Sequence, residues 1–348
     1  MAKIGLIGFG RVGRRLFREI HSRPRLGPVT AISEINPAGR DPAELTANLA
    51  YLLANDSIAG PFPGRVSARG NALLLDARGI PVFFCDRPQA ADWSGAGVRI
   101  LVDATGKEPV ARQAAALAGN QVEKVVITRA ASAAQATLVR GINLNAYDPD
   151  SHHVISCSTC TANALAPVLK VLDEAFGVEQ AALFSVHPAL SGDTLLDGPA
   201  AEFAAGRSGL GVRPVASEMA RTTAELLPRL EGRLSAMALR VPTAVVNALL
   251  LHAVLARPPQ TAGEAAAVLK AASQGPLKGV LGLEEGFLGR PRVAADFVND
   301  PHSVVVDLNW LSLGGALLRL FIWHDNEYAY CCRVADTLEM IADRLAGQ

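Results

Sequence analysis

The sequence predicts an α/β protein: an N-terminal doubly wound parallel sheet followed by an α+β domain on a mixed or antiparallel sheet. Three observations carry this reading. Short β-rich runs alternate with longer helical patterns up to about residue 160. Beyond that point long strand-like runs dominate, with few helices between them. The length of 348 residues suits two domains at the usual ~100–200 residues each, and a hydrophobic content of 50% can supply a core to both.

The elements follow in order. Residues 3–7 read as a buried strand. Residues 11–22 read as a helix, with Val12, Leu16 and Ile20 at fourfold spacing, and 29–32 as a second strand. That β-α-β unit implies a parallel pair with a right-handed crossover. Further strands are expected at 73–75, 82–84, 100–103, 124–128 and 153–156, and helices at 41–54 and 109–118. A helix over 161–176 opens the second half. Strands at 181–187, 235–241, 247–255, 302–307 and 316–323 come after it, and a closing helix over 333–345. Residues 190–214 are rich in Gly and Ala without a period, and a loop of that length is uncommon unless functional.

Lys+Arg and Asp+Glu are equal at 33 each, so the formal net charge is zero. That argues against nucleic acid or an acidic membrane as partner, and leaves room for a small anion held by one or two arginines. No run reaches the roughly 18–20 uninterrupted apolar residues of a membrane span. The start, Met-Ala-Lys-Ile-Gly, has no apolar signal region, so a cytoplasmic location is expected. Five cysteines stand at 85, 157, 160, 331 and 332. Cys157 and Cys160 form one Cys-x-x-Cys, open to reading as a redox motif. No second ligand pair exists for zinc, so no metal is expected.

Gly8-Phe9-Gly10-Arg11-Val12-Gly13 fits G-x-G-x-x-G. The motif alone is weak, but here it leaves the first strand and opens the first helix. Gly8 permits the tight turn, Gly10 has no Cβ to hold a pyrophosphate off, and Gly13 lets helix pack on strand. The helix start, with Arg11 and Val12, presents unpaired N–H groups to phosphate. Glu34 ends the second strand roughly 20 residues on, where a carboxylate accepts from ribose hydroxyls and repels a 2′-phosphate. This is a Rossmann-type site for NAD in preference to NADP. Thr105-Gly106, after the strand at 100–103, can approach the cofactor from a later crossover.

In His153-Val154-Ile155-Ser156-Cys157-Ser158-Thr159-Cys160-Thr161-Ala162-Asn163 a strand ends and a helix begins. Cys160 then sits beside a helix N-terminus, whose dipole favours thiolate, although a lone cysteine can equally be core packing. The segment resembles the Ser-Asn-Ala-Ser-Cys-Thr-Thr-Asn signature of glyceraldehyde-3-phosphate dehydrogenases and their erythrose-4-phosphate dehydrogenase relatives. Leu165-Ala166-Pro167, Asn55-Asp56-Ser57, Ala104-Thr105-Gly106, Arg240-Val241-Pro242-Thr243 and Asp325-Asn326-Glu327 extend the likeness in order along the chain.

The resemblance implies a phosphorylating aldehyde dehydrogenase. Cys160 takes the place of the family nucleophile and His187 that of its base. Arg240 stands where the substrate phosphate is bound, with Thr159, Thr161 and Ser217 as its neighbours in the substrate site. Asn326 and Tyr330 match the residues at the nicotinamide, Thr128 one nearby, Arg87 one at the adenine, and Pro199 a proline of NAD-using members. It further implies inorganic phosphate as second substrate, a role in glycolysis and a homotetramer. The domains are then an NAD-binding domain over 1–159, completed by a C-terminal helix at 326–348, and a catalytic domain over 160–325.

Several positions depart from the family. Leu190 replaces a threonine after the base, Ser217-Glu218 a Thr-Gly pair, Cys157 an asparagine, Ala162 the second threonine, and Tyr328-Ala329 a Trp-Gly pair. The 190–214 loop keeps only Arg207 and Arg213 of its basic residues. Asp300-Pro301-His302-Ser303 is similar to the erythrose-4-phosphate branch, and His302 reads as a strand-end residue more readily than as a ligand. Two alternatives stay open: an erythrose-4-phosphate dehydrogenase in which water takes the thioester, and a non-catalytic NAD-binding member. An inward-pointing Glu218 would repel phosphate, which predicts weak phosphate use.

Overall fold

The computed structural model describes residues 1–36, 38–200, 205–207 and 209–347. Two compact units divide them, Met1–Ser158 with Cys331–Gln348, and Thr159–Tyr330.

In the first unit the chain runs β1 (Ile4–Ile7), α1 (Arg11–Ser22), β2 (Val29–Glu34), α2 (Pro42–Ala54), β3 (Asn55–Asp56), β4 (Gly60–Pro61), β5 (Val66–Arg69), β6 (Ala72–Leu75) and β7 (Arg78–Phe84). It continues through β8 (Ile100–Asp103), α3 (Glu108–Ala115), β9 (Lys124–Ile127), β10 (Ala136–Thr137) and β11 (Val154–Ser156). One sheet takes the order β10-β11-β9-β8-β1-β2-β7-β6-β5. Pairing is parallel from β10 to β7 and antiparallel from β7 to β5. The sequence dictates the parallel part. β1, β8 and β9 are short apolar runs with every residue buried, the pattern of strands covered on both faces. Even Lys124, inside β9, is buried, and its Nζ donates to the carbonyls of Pro149 and His152.

The second unit holds α4 (Cys160–Phe176), β12 (Val178–Pro188), β13 (Arg213–Val215), α5 (Met219–Leu226), β14 (Leu234–Val241) and β15 (Asn247–Leu255). Then come α6 (Ala262–Gln274), β16 (Leu281–Glu284), β17 (Val304–Gly314) and β18 (Leu317–His324). Its seven-stranded sheet is ordered β13-β14-β12-β15-β18-β17-β16 and is mixed, with β12/β14 and β16/β17 parallel. β15 alternates buried and half-buried residues along its whole length, the period-2 mark of a sheet with one face on a core. That core collects Leu165, Leu169 and Leu172 of α4 with Leu249 and Leu251 of β15 and Leu318 and Leu320 of β18. The final helix, α7 (Tyr328–Ala346), returns the chain to the first unit from Cys331 onward.

The sequence reading missed α5, α6, β5, β13, β16 and the two-residue strands β3, β4 and β10. α6 buries Ala265, Leu269 and Ala272, so its apolar stripe is mostly alanine and offers little periodic signal. Its N-cap was legible: Thr261 Oγ1 accepts from Glu264 N at 3.3 Å. The strand expected at 302–307 begins at Val304 and leaves His302 outside it, with Nδ1 2.8 Å from Asp300 Oδ1. Among the described residues no helix is long and apolar enough to cross a membrane.

Candidate active site

The cofactor end of the first unit starts from one short stretch. After β1 the chain turns at Gly8, whose φ of +84° lies in the region that favours glycine, and Gly8 N donates to Ser33 O at 2.8 Å. α1 then starts beneath the turn. A Cβ on Gly13 would come within 2.1 Å of Gly8 O, so only glycine lets the helix lie this close. A Cβ on Gly10 would meet nothing within 4 Å. Glycine at 10 therefore answers to no neighbour in the chain. It keeps open the space before the α1 N-terminus, and that fits a dinucleotide's pyrophosphate.

Glu34, the last residue of β2, is fixed by two backbone donors: Phe9 N to Oε2 at 2.6 Å and Ile35 N to Oε1 at 2.8 Å. Gly8, Gly10, Glu34, Asp86, Pro88 and Thr105 line a cleft of about 170 Å³ beside these residues. Arg11 and Val12 form the first turn of α1 and lie outside this lining, and Arg87 is exposed between two residues that belong to it. Thr105 is held by Asp103, whose Oδ1 accepts from Thr105 N at 2.9 Å and Oγ1 at 2.6 Å. Thr128 reaches the same strand end, its N and Oγ1 donating to Asp103 O at 3.0 and 2.9 Å. Burial pushes the Asp103 carboxyl up, against the Thr105 hydrogen bonds. The sequence reading overlooked Asp103, although an acid ending a buried strand just before Thr-Gly is a visible signal. Gly106 follows with φ +66°.

The second unit carries the residues expected to supply the nucleophile and its base. Cys160 is the first residue of α4. Thr159 caps that helix, its Oγ1 accepting from Ala162 N at 3.2 Å. Thr159 Oγ1 also lies 3.4 Å from Thr161 Oγ1 and 3.3 Å from Thr222 Oγ1. Thr222 comes from α5 and is fully buried, and its hydroxyl donates to Glu218 O at 3.0 Å. It joins a hydroxyl cluster that sequence reading could not assemble, because α5 was not recognised.

Burial pushes the Cys160 thiol up to about 11. Backbone N–H groups of Thr161 and Cys160 and the charge of Arg240 work against that rise, while Glu327 adds to it. The helix N-terminus therefore does not by itself give the thiolate that the sequence led us to expect. The residue keeps partial exposure, and its thiol needs a proton acceptor.

Strand register supplies the rest. In parallel β12/β14, His187 pairs with Arg240, and in antiparallel β13/β14, Arg240 pairs with Arg213. Directly opposed residues share a face, so His187, Arg240 and Arg213 form one row across three strands. His187 Nδ1 lies 2.8 Å from Pro188 O. A carbonyl only accepts, so Nδ1 carries the proton and Nε2 is the basic nitrogen. Arg240 Nη1 donates to Pro188 O at 3.3 Å.

Ser217 precedes α5, its Oγ accepting from Met219 N at 3.2 Å. Glu218 corrects an expectation. Its carboxylate is largely exposed and pairs with Arg221 Nη2 at 3.2 Å, one helical turn on, so it does not face a phosphate site. Asn326 is buried, with Oδ1 accepting from Val246 N at 3.1 Å, and Tyr330 is buried at the start of α7. Pro199 is described without regular structure.

Comparison with known proteins adds three findings. A family model described as the NAD binding domain of glyceraldehyde 3-phosphate dehydrogenase matches residues 2–109, and one described as its C-terminal domain matches 159–326. The chain is 35% identical over 345 residues to a glyceraldehyde-3-phosphate dehydrogenase of Kitasatospora aureofaciens, covering 99% of this chain and 100% of that one. It is also 35% identical to those of Geobacillus stearothermophilus, over 98% of both chains, and Danio rerio, over 96% of both.

Proposed function

The chain belongs to the glyceraldehyde-3-phosphate dehydrogenase family and is an NAD-dependent oxidoreductase, and from that premise we propose that it oxidises glyceraldehyde 3-phosphate to an acyl phosphate through a thioester on Cys160. The carrying observation is the register that sets His187 beside Arg240 on one face, a base next to an anion holder.

The steps follow from the residue types. His187 Nε2 takes the Cys160 proton, which the buried thiol does not surrender to water at neutral pH. The thiolate adds to the aldehyde carbon, and the resulting oxyanion takes the proton back to give a hemithioacetal. His187 then removes the hydroxyl proton as the carbon is oxidised. NAD, when bound, supplies the hydride acceptor. Inorganic phosphate attacks the carbonyl of the Cys160 thioester, and the C–S bond breaks to release the acyl phosphate and the thiolate. Arg240 holds the substrate phosphate by charge-assisted hydrogen bonds. Glu34 accepts from the adenosine ribose and disfavours a 2′-phosphate, and Asn326 holds the carboxamide. The exposed Leu195, Leu196, Leu210 and Val212 support a homotetramer in which a neighbouring copy covers this loop.

The test is NADH formation with glyceraldehyde 3-phosphate and with erythrose 4-phosphate, each with and without phosphate. We expect activity with the first and dependence on phosphate. Phosphate-independent oxidation of erythrose 4-phosphate alone would replace this reading with a hydrolytic one, and silence with both aldehydes would end it.

A further inference from the structure

The core face of the second unit's sheet is apolar for most of its length and turns polar at one end. Leu183 of β12, Leu249 and Leu251 of β15, and Leu318, Leu320 and Ile322 of β18 all lie in the core. The next positions on that face are Ser185 and His187 on β12, Asn247 on β15 and His324 on β18. Asn247 pairs with His324, and Ser185 with Leu249. β12 and β15 pair as far as Val186 with Ala248, and one step on His187 comes opposite Asn247. With Arg240 on the other side of His187, four strands carry the row Arg240, His187, Asn247, His324.

Asn247 is fully buried, at 0% exposure, and neither its Oδ1 nor its Nδ2 has a hydrogen-bond partner among the described residues. The Oγ of buried Ser185 is likewise without one. A buried amide left unpaired destabilises a fold, whereas an apolar side chain of similar shape does not. Leucine is such a side chain, and it stands two residues on at Leu249. The amide at 247 therefore answers to something other than stability, and what lies beside it is the base. His187 becomes an imidazolium when it takes the Cys160 proton, and it does so next to the positive charge of Arg240. No hydrogen bond holds either end of the Asn247 amide, so its oxygen can turn to the ring as that charge develops. A dipole kept away from water beside developing charge acts more strongly than the same group in solvent.

We propose that Asn247 supports the base: its carbonyl, with the Ser185 hydroxyl, stabilises the imidazolium form of His187 and so the thiolate of Cys160. The inference rests on the roles proposed above for Cys160 and His187 and adds a residue to them. The ionisable groups around the row are Cys160 of α4, Arg240 of β14, His324 of β18 and Glu327, and beyond Arg240 stand Asp193 and Arg213. Asp193 Oδ1 lies 2.5 Å from Arg213 Nη2, and its Oδ2 lies 3.8 Å from Arg240 Nε. Substitution at 247 or 185 removes none of these charges, so a change in pH response reports the missing dipole.

The pH dependence of Cys160 alkylation by iodoacetamide in the full chain tests this without an aldehyde, with Tm measured alongside. Asn247→Leu fills nearly the same space without a dipole. Its labelling curve is expected to move up by about one pH unit, a loss of up to about tenfold in rate at neutral pH, while Tm holds or rises. Ser185→Ala is expected to move the curve the same way by less, and it decides if Asn247→Leu does not fold. A curve that stays in place or moves to lower pH would overturn the proposal. So would a marked loss of Tm beside the shift, which would assign the effect to damage in the core. A shifted curve with no NADH formed from any aldehyde would end the proposed activity and leave this inference standing. NADH formation with an unmoved curve in Asn247→Leu would do the reverse.

Discussion

The two ends of the chemistry are made in opposite ways. The cofactor end starts from residues 4–34 and is completed by later strand ends at Asp86, Pro88 and Thr105, and backbone does much of the work: N–H groups at a helix start, a glycine turn, and side chains left out so that nothing blocks the approach. The proposed nucleophile end is made of side chains from 160, 187, 240 and 326, which share one unit only because strands pair and helices pack. A site built on backbone should tolerate most side-chain changes and fail when a Cβ is added. A site built on side chains should lose chemistry with one substitution and keep its fold.

The largest expected effect breaks the nucleophile end alone. Cys160→Ala should lower kcat by at least ~10³-fold, since removing a nucleophile removes the covalent route. Its NAD affinity should stay within about twofold, by fluorescence titration. Residual turnover near wild type would mean that another group carries the acyl intermediate.

His187→Asn comes next, at about 10²–10⁴-fold in kcat. It should also change how Cys160 responds to pH. With the thiol pushed up to about 11 and no base beside it, alkylation by iodoacetamide should climb about tenfold per pH unit from neutral towards that value. In the wild type His187 accepts the proton, so labelling should level off at lower pH. Peptide mapping against Cys85 reads both curves, and identical profiles would remove His187 from its role.

Two glycine variants sharpen the contrast at the cofactor end. Gly13→Ala places a Cβ 2.1 Å from Gly8 O, so something must shift, and overpacking of this kind costs roughly 1–3 kcal/mol. Its Tm should fall along with NAD binding. Gly10→Ala meets no protein atom, so its Tm should hold while NAD affinity drops. Differential scanning fluorimetry with and without NAD separates them, and equal Tm losses would show that Gly10 serves the fold.

The smallest effect belongs to Glu218. Facing solvent and paired with Arg221, it should matter little. Glu218→Gly should leave the KM for phosphate within twofold and shift stability by under about 1 kcal/mol. A clear drop in that KM would mean that the carboxylate turns inward during turnover.

That last case marks where sequence reading reaches its limit. The Glu218–Arg221 spacing of one helical turn was there to be read, but only once α5 was known to be a helix. Asp193 lay in a stretch without period, and nothing local pairs it with arginines 20 and more residues away. By itself the sequence determined what depends on neighbours along the chain: the strand–glycine turn–helix that opens the cofactor cleft, the acid at the end of β2, the fully buried parallel strands, and a cysteine at a helix start. Only the tertiary structure decided which distant side chains meet. It aligned His187, Arg240 and Arg213, closed the Thr159–Thr222 contact and set Asp193 between two guanidinium groups. The physical reason is register. A strand's alternation says which residues share its face, but which of them stand opposite one another depends on pairing with strands far off in the sequence.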